Sequence, residues 1–382
     1  MPLESYRRAF VFDDGLHLNS AGVAPMSVPA RDALSQAASV QAREGTLGVL
    51  TLLEQTRTAR ARVAALVGAK SENVSFMPSC AAAISQVALG FPLKPGDEIV
   101  TLDQEYPSNA YPWHVAAERA GARVVVVQSR PDFAIDHEAL LAAIGPRTRI
   151  VAVSFVQFST GAVLDLARVS AACRRVDAWL AVDAIQGIGV VPFDLDAMGV
   201  DAVACGSHKW LCGPLGHGFL ALAEGRRDRL TPVTIGAMTY GTPDDAVDPA
   251  RPMRTDAHRF EPGAPAVFAT AATDAAVALT LACGVEQLGR AAREAAALVV
   301  EGARARGHTV LSSSSEQQSP IVTFTLTRGD ARAVHQALVK KRVACAHRAG
   351  GIRVSPHAFT TGSDVARFFE HLDATLDELA RA

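Results

Sequence analysis

From about residue 60 to 225 the chain alternates short apolar runs with longer stretches of helical period, a pattern that few folds accept. An apolar run without polar alternation reads as a strand covered on both faces, and helices between successive strands make those strands parallel. The expected class is α/β, with a mostly parallel sheet of seven strands near residues 74–77, 99–102, 124–128, 150–155, 180–183, 202–205 and 218–222. These strands belong to a large domain spanning 20–265. Residues 1–19 and 266–382 form a smaller α+β domain, helical over 266–306 and with strands near 321–326, 343–346 and 352–354. Residues 236–265, rich in Pro, Gly, Asp and Arg, read as an irregular crossing, and 312–319 as a polar loop.

Two residues at the ends of neighbouring strands carry the chemistry. Asp183 closes the apolar run Leu180-Ala181-Val182, and Lys209 follows the next run within Gly206-Ser207-His208-Lys209-Trp210. A lysine can form an imine with a cofactor aldehyde, and a carboxylate can keep a pyridine nitrogen protonated so that the ring withdraws electrons. Together they point to pyridoxal 5'-phosphate. Taken singly, the lysine reads as a solvated surface residue and the aspartate as a turn cap. A phosphate needs its own cradle, and the start of the helix after the first strand, Ser79-Cys80-Ala81, offers free backbone donors and a favourable dipole. Ser79 reads equally well as a helix cap. Tyr106, just past the second strand, is placed to stack on a planar cofactor or to lie as a half-buried loop tyrosine.

Composition narrows the ligand. With 37 Lys+Arg against 39 Asp+Glu, 49% hydrophobic and 20% charged residues, no excess of either sign favours nucleic acid or an anionic membrane, so a small molecule is expected. No apolar run is long enough to span a bilayer, the start Met1-Pro2-Leu3-Glu4 lacks a secretory pattern, and the six scattered cysteines suit reduced thiols. A cytoplasmic location is expected. Two other motifs compete. Gly187-Ile188-Gly189 follows a strand but lacks the third glycine of a dinucleotide fingerprint, and Pro192 interrupts the helix that should follow. Cys205, His208, Cys212 and His217 are close in sequence but match no common zinc spacing, so no metal is expected.

These residues resemble the aminotransferase class V family of fold type I pyridoxal phosphate enzymes, which includes cysteine desulfurases, selenocysteine lyases, kynureninase and isopenicillin N epimerase-like proteins. The resemblance rests on Asp183-x-x-Gln186, Ser207-His208-Lys209 and Gly213-Pro214-x-Gly216, with Ser159-Thr160-Gly161 upstream and Arg259-Phe260-Glu261-Pro262-Gly263 downstream. It implies that Lys209 holds the cofactor and moves the α-proton, Asp183 pairs with the ring nitrogen, and Gln186 bonds the ring hydroxyl. It also implies that Tyr106 covers the ring, and that Ser79, Cys80, Ala81 and His208 contact the phosphate. Ala264 stands where the family reaches the partner subunit's phosphate across a homodimer interface, usually with a threonine. Arg353, in Gly351-Ile352-Arg353-Val354, would fork onto the substrate carboxylate, with Arg348 as second candidate.

Departures from the family pattern bear on the reaction. Residues 343–351 leave no room for the mobile loop that carries the desulfurases' nucleophilic cysteine, so Cys345 reads as packing, and Phe158 occupies the place of an asparagine. Aminotransfer to or from an α-amino acid is the expected activity. The alternatives are β-elimination from a sulfur or selenium amino acid, epimerisation, and a non-catalytic cofactor-binding regulator. Segments 43–53 and 239–259 are expected to be loops that set side-chain specificity.

Overall fold

The structure is a computed structural model that describes residues 1–241, 247–248, 250–311 and 319–381. Helices α1 (Leu3–Arg7), α2 (Val28–Glu44) and α3 (Thr46–Val67) precede the main sheet, along with the short strand β1 (Leu16–His17). The sheet is built from β2 (Val74–Met77), β3 (Glu98–Leu102), β4 (Arg123–Val127), β5 (Thr148–Ser154), β6 (Trp179–Asp183), β7 (Ala202–Gly206) and β8 (Gly218–Leu222). Between these strands run α4 (Cys80–Gly90), α5 (Tyr111–Ala120), α6 (His137–Ala143), α7 (Leu166–Arg175) and α8 (Leu195–Met198). The spatial order is β2-β8-β7-β6-β5-β3-β4, and β8 alone runs against its neighbours β2 and β7.

Successive residues along a strand face opposite sides, which explains why the strands read as unbroken apolar runs. Val100, Val151, Val153, Leu180 and Val203 pack on one face with Val63 and Val67 of α3 and Val169 of α7. Ile99, Ile150, Ala152, Trp179 and Ala181 pack on the other with Ile84 and Val87 of α4 and Trp113 of α5. Each fully buried Val, Leu or Ile of this kind contributes roughly 1.5–3 kcal/mol.

After the sheet come α9 (Val267–Cys283) and α10 (Val285–Ala305), bent by 83° at Gly284, whose φ of +90° suits glycine. No single helix among the described residues is long and apolar enough to cross a membrane; this bent pair meets the length and composition test only when taken together. Helix α9 packs against α2 and α3, with Ala272 and Ala276 buried on Ala30. A second sheet has the order β12-β13-β10-β9, with β9 (Thr309–Val310), β10 (Val322–Thr325), β12 (Ala346–Arg348) and β13 (Gly351–Val354) all antiparallel to their neighbours. It shares a core with α10, α11 (Ala331–Lys340) and α12 (Gly362–Arg381), to which Leu16 and Leu18 from the amino-terminal segment contribute.

Two sequence expectations change. The single strand expected over 343–346 is two: β11 (Val343–Ala344) pairs in parallel with β1, and β12 turns back into β13, with buried Cys345 at the switch. Residues 43–53 are not a loop, because α2 and α3 meet with only Gly45, at φ +53°, between them. The described residues of 236–265 are irregular, as expected, apart from two short 3-10 turns, Ala237–Tyr240 and Ala257–Phe260; 242–246 and 249 lie outside the described residues, as do 312–318 of the expected polar loop.

Candidate active site

Asp183 ends β6 and Lys209 lies just past β7, its neighbour in the sheet, so both stand at the carboxyl rim where open α/β sheets form a crevice. A cavity of about 250 Å³ opens there. Ser79, Cys80, Ala81, Tyr106, Asp183, Gln186, His208, Lys209 and Arg353 line it, with Ala21, Gly22, Ser108, Phe158, Ile185 and Arg348. Ala264 lies outside it and is exposed.

The Lys209 turn is held from several sides. Ser207 Oγ sits 2.7 Å from the Pro214 carbonyl and 3.0 Å from that of His217, and Gly213 N–H donates to Ser207 O at 2.8 Å. Trp210, fully buried, donates its indole N–H to Gln186 Oε1 at 3.0 Å, and Gln186 Nε2 donates to Ala21 O at 3.0 Å. Each Gln186 amide atom is thereby anchored once, which leaves one lone pair on the oxygen and one N–H for the cavity. The amine of Lys209 has no hydrogen bond or ion pair among the described residues and lies 5.7 Å from the centre of the Tyr106 ring. Burial pulls its pKa below the ordinary lysine range, against the opposing pull of Asp183.

Asp183 is only 4% exposed and accepts two hydrogen bonds, both at Oδ1: from Ile185 N at 3.0 Å and from the Cys80 thiol at 3.4 Å. Oδ2 has no donor among the described residues. Burial raises its pKa, while the Ile185 N–H and Lys209 hold it down. The same burial, followed by the Asp183 charge, pushes the Cys80 thiol well up, so it stays protonated and donates.

The first turn of α4 supplies an anion cradle. Ser79 Oγ accepts from Ala82 N at 3.1 Å as the helix cap, which leaves its own proton to donate, while the Cys80 and Ala81 N–H groups have no helical acceptor. Cap and ligand are thus compatible roles for Ser79. Gly218 of β8 permits the close approach: a Cβ there would stand 2.4 Å from Cys205 O and 3.3 Å from Cys80 N. His208 is neutral at neutral pH, its pKa pulled down to about 4 by burial and then by Lys209, so it offers a phosphate an N–H without a charge.

On the opposite wall, Arg353 is 2% exposed and forms no salt bridge among the described residues. Nη1 donates to Phe158 O at 2.7 Å, Nη2 to Asn19 Oδ1 at 3.0 Å, and Nε finds no partner. Burial and then Arg348 lower its pKa to about 9, which still leaves it charged at neutral pH. A buried cation without a counter-ion fits an anionic ligand. Asn19 reaches this wall because it bridges Ser355 beside β13, a long-range pairing that no local motif announces.

Sequence reasoning also missed Glu105. It is buried and takes hydrogen bonds from Ser154 N (2.8 Å), Ser154 Oγ (2.5 Å), Asn109 Nδ2 (2.8 Å) and Gln157 Nε2 (3.1 Å), which fixes the turn that presents Tyr106. Tyr106, 41% exposed, meets Phe158 edge-on at 5.1 Å. Its neighbour position to Tyr106 was the available signal.

The competing motifs resolve into packing. Gly187 and Gly189 lie in tight turns, where a Cβ would stand 2.4 Å from the Phe155 ring or 2.8 Å from Trp210 O. Cys205, His208, Cys212 and His217 do not converge. Cys212 faces Tyr6 and His357, and His217 bonds Thr270 and Thr273. Among the described residues no three metal-ligating side chains cluster.

The sequence profile described as aminotransferase class-V matches residues 32–368. An uncharacterized aminotransferase, YcbU of Bacillus subtilis (strain 168), is 28% identical over 84% of this chain and 84% of its own. The isopenicillin N epimerase of Streptomyces clavuligerus is 28% identical over 86% of each chain. Among solved structures, the cysteine desulfurase of Thermococcus onnurineus NA1 superposes with a TM-score of 0.90 at 20% identity, covering 98% of both chains, a likeness that speaks for the fold alone. The architecture is that of fold type I pyridoxal phosphate enzymes. The chain belongs to the aminotransferase class-V family.

Proposed function

We propose that this enzyme is a pyridoxal phosphate-dependent aminotransferase acting on an α-amino acid, with Lys209 as its one catalytic base. The carrying observation is the unpartnered amine of Lys209 facing the buried carboxylate of Asp183 in a cavity that presents no second catalyst. Pyridoxal phosphate, when bound, supplies an aldehyde that condenses with amines and a ring that stabilises negative charge at a neighbouring carbon.

The chain's residues divide the remaining work. The Ser79 hydroxyl and the Cys80 and Ala81 N–H groups hold the phosphate, aided by the α4 dipole and by neutral His208. Asp183 would be the charge partner of the ring nitrogen, held in place by Ile185 N–H and the Cys80 thiol at Oδ1. The Gln186 amide would bond the ring hydroxyl, and Tyr106 would cover the ring. Arg353 forks onto the substrate carboxylate. With its pKa lowered by burial, the Lys209 amine would take the α-proton of the substrate at Nζ.

Aminotransfer needs only one such base. The other thiol and imidazole groups are poorly suited to act: Cys80 is held protonated and His208 has a pKa of about 4. All six cysteines are buried, and burial pushes Cys345 to about 12, so no thiolate is presented to a sulfur substrate.

We place exposed Ala264 at a homodimer interface, where its backbone N–H would serve the partner's phosphate. We place the division into a large and a small domain near residue 265, with α9 at the junction, where it packs on α2 and α3. The unpaired cysteines fit a reducing compartment such as the cytoplasm.

The test is a stoichiometric reaction of the loaded enzyme with amino acids and no keto-acid acceptor. Conversion to the stable pyridoxamine form with one equivalent of keto acid is expected. Release of ammonia with recovery of the starting spectrum would make it a lyase, and loss of optical activity without keto acid an epimerase.

A further inference from the structure

Arg353 is not the only cation on its wall. In the β12–β13 hairpin Arg353 lies opposite Ala346 and Arg348 opposite Gly351, so Arg348 is the diagonal neighbour of Arg353 on the same face of the sheet. The residue directly across from Arg353 is small, which leaves space between the two guanidinium groups. Both line the cavity, and neither forms a salt bridge among the described residues; the one recorded hydrogen bond of Arg348 goes to its own neighbour, His347 O, at 2.8 Å. The cavity thus carries Lys209, Arg348 and Arg353 against a single acid, Asp183. Asp183 faces Lys209, and a phosphate at α4 would lie among Ser79, Cys80 and Ala81, so neither matches the arginine wall.

We infer that the substrate is an amino acid with an anionic side chain, whose α-carboxylate is taken by Arg353 and whose second anionic group is taken by Arg348. This rests on the role given above to Arg353. The geometry suits a substrate lying along the hairpin face, with Tyr106 and Phe158 closing the apolar side. Arg348 is exposed at the mouth, which lets it meet the incoming anion and steer it inward.

The test separates binding from chemistry. α-Methylglutamate and 2-aminoisobutyrate have no α-proton, and their affinities for the loaded enzyme are read by titration calorimetry. The inference predicts at least about tenfold tighter binding of α-methylglutamate, reduced to about twofold in Arg348→Gln and largely kept in Arg348→Lys. Equal affinities in the unaltered enzyme, or a preference that survives Arg348→Gln, would overturn it and make Arg348 a solvated rim cation. Exchange of the α-proton of aspartate, glutamate, O-phosphoserine and alanine in deuterated water tests the role of Lys209 separately. A binding preference without exchange leaves this inference standing and removes the base, whereas exchange with alanine and no acidic preference does the reverse. Tighter binding and faster exchange for O-phosphoserine than for glutamate would assign the second anion as phosphate.

Discussion

Two buried carboxylates stand on the same sheet rim and have opposite fates. Glu105, beyond β3, accepts four hydrogen bonds, from Ser154 (two), Asn109 and Gln157, and does not line the cavity. Asp183, at the end of β6, accepts two at one oxygen, leaves the other without a donor among the described residues, and lines the cavity with Lys209. A saturated carboxylate is part of the scaffold, and an unsaturated one beside an unpartnered amine is part of the chemistry. Burial raises the pKa of both, so the shift alone does not separate them; the distribution of donors does.

Substitution is the sharpest way to break that comparison. Asp183→Asn should reduce kcat by roughly 10²–10⁴-fold, the range for loss of a key electrostatic or proton-transfer group, while the midpoint of thermal unfolding stays within a few degrees. A variant with near-normal kcat would place Asp183 with Glu105, in the scaffold. Arg353→Gln should raise KM for amino acids by roughly tenfold to a hundredfold, because a two-point charged contact is lost, without destabilising the fold, since it removes a buried unmatched cation. Glu105→Gln should do the opposite of Asp183→Asn: it leaves buried donors facing an amide and costs about 1–3 kcal/mol of stability by chemical denaturation, with kcat changed only through the position of Tyr106.

A pH series sharpens the same contrast. Glu105 is raised from 4.5 to about 7, so between these values the folded state binds more protons than the unfolded one and stability falls as pH rises. The stability difference between the unaltered protein and Glu105→Gln should therefore move against the unaltered protein across pH 4.5 to 7 and then level off. His208, His217 and His357, each lowered to about 4, act in the other direction over pH 4 to 6.5 in both proteins and cancel in the difference. A difference that grows in favour of the unaltered protein over that range would mean that Glu105 is ionised in the fold. The smallest effect belongs to Cys345→Ala, which should leave activity within about twofold, because the thiol is buried at the β11–β12 switch. Loss of activity there would revive a sulfur-transfer reading.

The sequence was most legible where chemistry and local pattern coincide. Asp183, Gln186, His208 and Lys209 lie within 27 residues at the ends of two adjacent strands, and Ser79 caps the helix after the first strand of the sheet. Asn19 and Glu105 were not legible for different reasons. Asn19 meets Arg353 across a chain separation of 334 residues, through a bridge between the amino-terminal segment and Ser355 beside β13. Glu105 lies beside a residue that was singled out, but its partners Ser154 and Gln157 come from the end of another strand. The join between α2 and α3 read as a loop because Gly45 breaks the period, although a single positive φ lets two helices abut.

Lys209 is proposed as the residue that holds the cofactor aldehyde. Borohydride reduction of the pyridoxal phosphate-loaded protein, followed by proteolysis and mass spectrometry, tests it directly. One reduced pyridoxyl adduct per chain is expected, on Lys209, and none in Lys209→Ala. An adduct on another lysine, or none on a protein that has bound the cofactor, would contradict it.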